Sequence, residues 1–245
     1  MSSVVNILGI DYDIATTTSI KLSSKNLTSI PNSISLLTNL VFIDLSGNKI
    51  TNIPDWIPVL TNLKKLILSG NKITDIPDCI SLLINLETLN LSGNEITDIP
   101  DCISLLTSLQ ALFLSSNEII NITDSISSLT NLQILNVADN KITDIPDCIS
   151  SLVNLEMLIL SDNKITEIPD SISSLIKLKS LHLSNNKITY ISNYISSLSN
   201  LVVMYLNNNH IDDLNILSSM PIKYLDVSNQ TPSPIPILYL PPIIV

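Results

Sequence analysis

Few residues of this chain are suited to catalysis, since its 245 residues include two histidines and three cysteines. His182, Tyr205 and Asp226 follow one another at spacings of 23 and 21 residues, which is also the spacing at which the chain repeats, so they would share one row. A catalytic triad needs a nucleophile, a base and an orienting group in contact. The residues around this row are ordinary surface polar residues. We therefore predict that the protein is not an enzyme, with catalysis at His182 kept as an alternative hypothesis.

The three cysteines follow the same period. Cys79 and Cys102 are 23 residues apart, and Cys148 is two periods further on. Residues one period apart come close enough for a disulfide or a shared metal ion to be conceivable. The same column holds other residue types in the remaining units: Ser33, Trp56, Ser125, Ser171 and Tyr194. Because the position accepts varied residues, we predict no metal site, and we expect no cofactor since no glycine-rich phosphate loop is present.

Cysteine usage and the terminal sequence bear on the compartment. An odd set of three cysteines in a long chain is unlike the disulfide framework of a secreted domain, so we predict a cytoplasmic location. Residues 1–13 have no basic residue before a short apolar stretch, unlike a secretory signal. No run approaches the roughly 18 apolar residues that a membrane span needs. Glycosylation-type triplets at Asn26, Asn121 and Asn229 leave secretion as the alternative.

The charge balance excludes a nucleic-acid partner. Acidic residues number 22 and basic residues 12, which gives a formal charge of −10, whereas a nucleic-acid binder needs a basic face. Part of the negative charge lies in one column: Asp55, Asp78, Asp101, Asp124, Asp147 and Asp170. We interpret these carboxylates as helix N-terminal and solubilising residues, with the steering of a basic partner as the alternative.

An internal repeat dominates the sequence. The pattern from Leu63 to Ile73, L-x-x-L-x-L-x-x-N-x-I, recurs 23 residues later from Leu86 to Ile96. Ten units begin at Thr17, Leu40, Leu63, Leu86, Leu109, Leu132, Leu155, Leu178, Leu201 and Ile222. The first half of each unit predicts a short strand and a turn. The second half, x-x-I-P-D-x-I-x-x-L, has apolar residues three apart and predicts a short helical or 3₁₀ return with proline in its first turn.

One asparagine recurs at the turn of each central unit. We call these residues the asparagine ladder: Asn48, Asn71, Asn94, Asn117, Asn140, Asn163, Asn186 and Asn209. A side-chain amide offers two donors and an acceptor, so we predict that the ladder satisfies backbone groups of its own and neighbouring turns. Lys25 and Gln230 stand in this column at the two ends, which predicts that the regular repeats stop there.

These repeats resemble the leucine-rich repeat family, in the 23-residue variety with an I-P step, and in particular intracellular Ras-associated scaffold proteins. The resemblance implies an α/β repeat solenoid: a curved horseshoe with a parallel sheet on its concave face and short helical or 3₁₀ segments on its convex face. We predict an N-terminal cap at residues 1–16, a solenoid of about ten units at 17–231, and a C-terminal cap or tail at 232–245. Caps are needed because terminal repeats would otherwise expose the core.

The outward-facing strand positions carry more apolar residues than a solvated face requires. Large apolar and aromatic side chains on such a face are typical of contact surfaces. The predicted partner-binding residues are Phe42, Ile67, Phe113, Ile134, Met157, Ile159, Val203, Tyr205 and Tyr224. We place the centre of this surface at Phe113, Ile134, Met157 and Ile159.

The favoured hypothesis is a non-catalytic, monomeric scaffold in the cytoplasm that grips a protein partner with its concave sheet, with a role in signal transduction or host interaction. The alternative is a secreted or surface recognition protein, an adhesin-like effector that binds protein or glycan. Neither hypothesis involves nucleic acid, a membrane span or a cofactor. The identity of the partner is not encoded in any motif of the chain.

Overall fold

The computed structural model describes residues 3–231. It begins with a hairpin of β1 (Val4–Ile7) and β2 (Ile10–Asp13), paired antiparallel. Leu8 and Gly9 between them both have positive φ, as the tightest hairpin turns require. Val5 and Ile7 are buried in the same apolar core as the repeats. The predicted C-terminal cap, residues 232–245, lies outside the described residues.

The ten repeat units form one sheet of parallel three-residue strands in chain order. Each strand pairs with the next in a register offset by one unit, as in Leu66 with Leu89. The strands are β3 (Ser19–Lys21), β4 (Phe42–Asp44), β5 (Lys65–Ile67), β6 (Thr88–Asn90), β7 (Ala111–Phe113), β8 (Ile134–Asn136), β9 (Met157–Ile159), β10 (Ser180–His182), β11 (Val203–Tyr205) and β12 (Tyr224–Asp226). The predicted curved α/β solenoid with its parallel sheet is confirmed.

The return segments are 3₁₀ helices. They are η1 (Asn32–Leu36), η2 (Ile57–Val59), η3 (Asp78–Leu82), η4 (Asp101–Leu105), η5 (Asp124–Ser128), η6 (Asp147–Ser151), η7 (Asp170–Ser174), η8 (Asn193–Ser197) and η9 (Asn215–Ser219). The proline of the I-P step lies one residue earlier than we predicted: Pro77 is extended, with ψ of 153°, and Asp78 begins η3. The Pro77 carbonyl accepts the first helical hydrogen bond, from the Ile80 amide at 3.0 Å.

Leucine and isoleucine fill the space between sheet and helices. In the third unit, Leu66, Leu68, Ile73 and Ile80 are fully buried, and the equivalent residues of the neighbouring units extend the same core. Each such side chain contributes about 1.5–3 kcal/mol by leaving water. The stacked units therefore hold one another in place, which a single unit could not do.

A second column of residues determines the backbone conformation of the turns. The residue just before each ladder position has φ between 53° and 66°, a region in which glycine is least strained. Glycine fills it at Gly47, Gly70 and Gly93. Serine, aspartate or asparagine fills it elsewhere, at Ser24, Ser116, Asp139, Asp162, Asn185, Asn208 and Asn229. This is how a ten-unit solenoid forms with four glycines in the whole chain.

Candidate functional site

The middle residue of each strand points into the core, so the first and third residues face outward. We call these outward side chains of β3–β12 the concave surface. In β7, β8 and β9 the pattern is the same, a buried middle residue between two partly exposed ones. Because adjacent parallel strands lie about 4.8 Å apart, residues in register on this surface are neighbours.

Seven of the nine predicted partner-binding residues lie on the consecutive strands β7–β12. Ile134 is in register with Met157, and Val203 with Tyr224. Phe113 stands one strand before Asn136, diagonal to Ile134. Ser180 and His182 of β10 lie between these residues. We call the nine residues together the apolar array: Phe113, Ile134, Met157, Ile159, Ser180, His182, Val203, Tyr205 and Tyr224. It spans six strands, with Ser180 and His182 as its polar members, and the charged outward residue of these strands is Asp226, at the end of β12.

The other two predicted residues lie apart from this array. Phe42 is in register with Ser19 and Lys65, and the Lys21 ammonium stands 5.9 Å from its ring centre. Ile67 lies between Asp44 and Asn90. The structure therefore separates Phe42 and Ile67 from the continuous surface.

Ser180 and His182 form a hydrogen-bonded pair within the apolar array. Ser180 Oγ lies 2.7 Å from His182 Nε2, and the Tyr205 ring meets the imidazole edge-to-face with centroids 4.8 Å apart. Burial lowers the pKa of His182 below its ordinary value. This pair was not predicted, because a serine two residues before a histidine is unremarkable until both face the same side of a strand.

The row of His182, Tyr205 and Asp226 does not have triad geometry. Tyr205 is in register with both of the others and stands between them. The Asp226 carboxylate instead accepts the Ser228 amide at 2.9 Å. Within residues 3–231 no carboxylate is hydrogen-bonded to His182, whereas a triad needs such a group to orient the imidazole.

Several polar residues of the concave surface are committed to the turn that follows their strand. The side-chain oxygen of Asp44 accepts the Ser46 amide at 3.0 Å, and Asn90 accepts the Ser92 amide at 3.0 Å. Asn136 does the same for Ala138 at 3.1 Å. These side chains close local turns, so the outward side chains that are not engaged in turns are mainly the apolar ones.

The asparagine ladder runs beside the concave surface, inside the stacked turns. Asn71 Nδ2 donates to the Leu68 carbonyl at 2.8 Å and to the Leu45 carbonyl of the preceding unit at 3.1 Å. Asn71 Oδ1 accepts the Ile50 amide at 3.0 Å. Gln230 continues this pattern in the last unit, since it donates to the Leu206 carbonyl at 2.8 Å and accepts the Ile211 amide at 3.1 Å.

The cysteines are free thiols and partly buried. Burial, with Asp78 nearby, raises the pKa of Cys102 to about 11. Burial also raises the pKa of Cys148 to about 11, helped by Asp124. Such thiols stay protonated at neutral pH and are poor nucleophiles and metal ligands. Among residues 3–231 no group of three or more histidine, cysteine or acidic side chains could hold a metal ion.

A polar groove borders the apolar array where the chain enters the strands. Its volume is about 500 Å³, and its lining includes Glu87, Gln110, Gln133, Asn154 and Glu156. Lys64 and Lys179 close the two ends of this row by ion pairs of 2.7 Å with Glu87 and Glu156. An apolar centre with a polar border is the usual anatomy of a protein interface. This polar border was not predicted from the sequence.

Comparison with protein families gives two matches that together cover the repeats. The family described as leucine rich repeat matches residues 15–73 and 61–119, and the leucine-rich repeat region family matches residues 115–229. No curated protein matches the sequence. Within residues 3–231, none of the helices has the length and apolar character to cross a membrane.

Solved structures give close matches of fold. An internalin (inlF) from Listeria monocytogenes is 29% identical with a TM-score of 0.80, over 89% of this chain and 63% of that one. The ectodomain of the plant receptor kinase GASSHO1/SCHENGEN3 from Arabidopsis thaliana, in complex with CASPARIAN STRIP INTEGRITY FACTOR 2, is 30% identical with a TM-score of 0.72, over 81% of this chain and 25% of that one. A repeat protein from Leptospira interrogans is 26% identical with a TM-score of 0.58, over 87% and 72%. The chain thus spans less than two thirds of the first two structures.

Proposed function

The chain belongs to the leucine-rich repeat family, and we propose that it is a non-catalytic scaffold that binds a protein partner through the apolar array of its concave surface. The plant ectodomain that it resembles was solved in complex with a named factor, so this fold presents binding surfaces to other molecules. The observation that carries the proposal is the concentration of apolar and aromatic outward side chains on β7–β9 and on β11 and β12, on a sheet whose backbone is held by the ladder. A rigid surface of this kind binds without a large ordering cost.

The array has the composition of an interface centre. Phe113, Tyr205 and Tyr224 provide aromatic side chains and Met157 an adaptable one, and both kinds are enriched in such centres. The polar groove beside the array supplies carboxylates and amides for a rim. We propose that Phe113, Ile134, Met157 and Ile159 form the contact centre, and that Phe42 and Ile67 lie outside it.

We propose a cytoplasmic setting in which the protein acts as a monomer in signalling. Three partly buried free thiols favour a reducing compartment, in which cysteines remain unpaired. Secretion remains the competing setting, and it predicts occupied glycosylation sites. Expression through a secretory pathway followed by glycosidase treatment separates the two, because a mobility shift at Asn26 or Asn121 supports secretion.

The concave contact is tested by site-specific photocrosslinking in native lysate. A photoreactive phenylalanine analogue at Ile134 should capture a discrete partner, while the same analogue at Ile67 should not. Phe113→Ala combined with Ile159→Asp should abolish the captured band without altering the circular dichroism spectrum, since both side chains are partly exposed. Retention of the band in the folded double variant, or equal capture from position 67, would show that the concave contact is wrong.

A further inference from the structure

The convex side of the first repeats carries a row of exposed apolar side chains that is separate from the apolar array of the concave surface. The last residues of η1, η2, η3 and η4 are Leu36, Val59, Leu82 and Leu105, and they are 52%, 44%, 60% and 58% exposed. The last residues of η5–η8 are Ser128, Ser151, Ser174 and Ser197. We call the first four residues the convex stripe. Since serine serves the later units, the repeat does not need a large apolar side chain at this position.

An aromatic residue extends the convex stripe toward the start of the helices. Trp56 lies three residues before Val59, is partly buried against the core and donates its indole N–H to Asn32 Oδ1 at 2.9 Å. This hydrogen bond fixes the ring beside the stripe. Tryptophan is one of the residue types that most often dominate binding energy at interfaces.

The charge beside the convex stripe has a single sign. Asp55, Asp78 and Asp101 are exposed, and none of them is in an ion pair among the described residues. The return segments of these units, residues 30–40, 53–63, 76–86 and 99–109, contain no lysine or arginine. Each aspartate stands four residues before a stripe residue, which is about 8 Å along a 3₁₀ helix. An apolar row therefore runs parallel to an anionic row.

The spacing of the units fits an α-helix laid along the stripe. Strands repeat at about 4.8 Å, and the convex side of a curved solenoid repeats at a longer distance because the sheet is on the inside. An α-helix has a pitch of about 5.4 Å and a diameter of about 10–12 Å. A helix parallel to the stack would thus place one turn on each unit and still reach the aspartate row.

We propose that the convex stripe is a docking site for a basic amphipathic helix of about four turns on a partner protein. The apolar face of that helix packs on Leu36, Val59, Leu82 and Leu105, and its lysine or arginine side chains meet Asp55, Asp78 and Asp101. A second copy of this chain fits poorly, since each copy has a charge of −10 and like charges oppose self-association. Anionic lipid fits poorly for the same reason.

The probe for this site is a labelled 16-residue peptide of leucine and lysine with one apolar face, followed by fluorescence anisotropy. Its controls are a peptide of the same composition without a continuous apolar face and a peptide with glutamate in place of lysine. The amphipathic basic peptide should bind at least tenfold more tightly than either control. Equal binding by the reordered peptide would overturn the proposal.

The protein variants copy residues that the chain itself uses. Leu82→Ser with Leu105→Ser should lower the affinity for the peptide at least tenfold. The variant should fold as wild type does, because serine occupies this column in four later units. The matched control is Val153→Ser with Ile176→Ser, which removes two side chains of similar exposure, 47% and 57%, and should change affinity less than twofold. Similar loss in both variants, or no loss in the first, overturns the proposal.

Two further measurements separate this site from other uses of the stripe. The concave variant Phe113→Ala with Ile159→Asp should bind the peptide as wild type does, so the two proposals fail independently. Asp78→Asn with Asp101→Asn should weaken the peptide and flatten its salt dependence. A wild-type dimer in sedimentation equilibrium that Leu82→Ser dissociates would assign the stripe to self-association and overturn the helix-docking proposal.

Discussion

Replacing Asn140 by alanine removes one rung of the asparagine ladder and leaves both neighbouring rungs in place. Asn140 Nδ2 donates to the carbonyls of Leu114 and Val137 at 3.0 and 3.1 Å, and its Oδ1 accepts the Ile119 amide at 3.0 Å. The two carbonyls keep a second donor, because Asn117 also bonds Leu114 and Asn163 also bonds Val137. The Ile119 amide has no such replacement.

These contacts set the size of the effect. An orphaned buried amide costs about 1–3 kcal/mol, and each weakened carbonyl bond adds about 0.5–1 kcal/mol. The Ile119 side chain is fully buried, but Asn140 is half-buried and its bond to the Ile119 amide is part-buried, so water replaces part of the lost acceptor and the upper end of the summed range is not reached. We expect Asn140→Ala to lower the free energy of unfolding by about 2–4 kcal/mol. For a chain of this length that corresponds to a fall in melting temperature of roughly 4–16 °C.

The measurement is urea unfolding followed by circular dichroism, with a thermal scan beside it. The matched control is Asn131→Ala, which also removes a bond between units, from Asn131 Nδ2 to the Thr107 carbonyl at 2.9 Å, but on the exposed surface. The control should shift the midpoint much less. An unchanged midpoint for Asn140→Ala, or an equal shift in the control, would refute the assignment of stability to the ladder. Capture of the partner by the apolar array should be the same in both variants.

Three other expectations follow from the described geometry. Ser116 has a φ of 54°, so Ser116→Gly should stabilise the fold by about 1 kcal/mol and Gly70→Ala should destabilise it by about as much, as measured by urea midpoints. Burial lowers the pKa of His182 below the ordinary 6.5, so the unfolded chain binds the proton more tightly. Stability present above pH 6.5 should then be lost as pH falls through the folded pKa, and His182→Gln should reduce that slope in pH-dependent unfolding. With pKa values raised to about 11, Cys102 and Cys148 should react slowly with iodoacetamide at pH 7.5 and far faster in denaturant. Rapid labelling of the native protein would contradict their assigned burial.

The sequence was sufficient for the fold because every unit repeats the same constraint. A spacing of 23 residues fixes which strand pairs with which, and the observed register of Leu66 with Leu89 has that offset. The type of helix and the position of its proline were harder to predict from the sequence. Pro77 is compatible with either the first helical residue or the residue before it, and only the extended ψ of the observed backbone decides between them.

The candidate site was less predictable, because periodicity says which face a residue occupies but not what surrounds it. Phe42 and Phe113 occupy outward positions in their strands, yet Phe42 lies between Ser19 and Lys65 with Lys21 over its ring, whereas Phe113 is diagonal to Ile134 and joins the apolar array. The contact between Ser180 and His182 depends on the rotamers of two side chains, which a repeat pattern does not contain.

The convex stripe is the clearest case in which the sequence does not reveal the exposure of a residue, because the case consists of two adjacent leucines. Leu82 and Leu83 are indistinguishable by composition or spacing, but Leu82 is 60% exposed and Leu83 is 1% exposed. A 3₁₀ helix turns by about 120° per residue, so two neighbours point in directions that differ by a third of a turn, and only one of them can face the core. The later units keep leucine at the inward position and have serine at the outward one, as in Ser151 and Leu152. The fold therefore requires the inner leucine alone, and the outer leucines of the first units require another explanation, which a bound partner would supply.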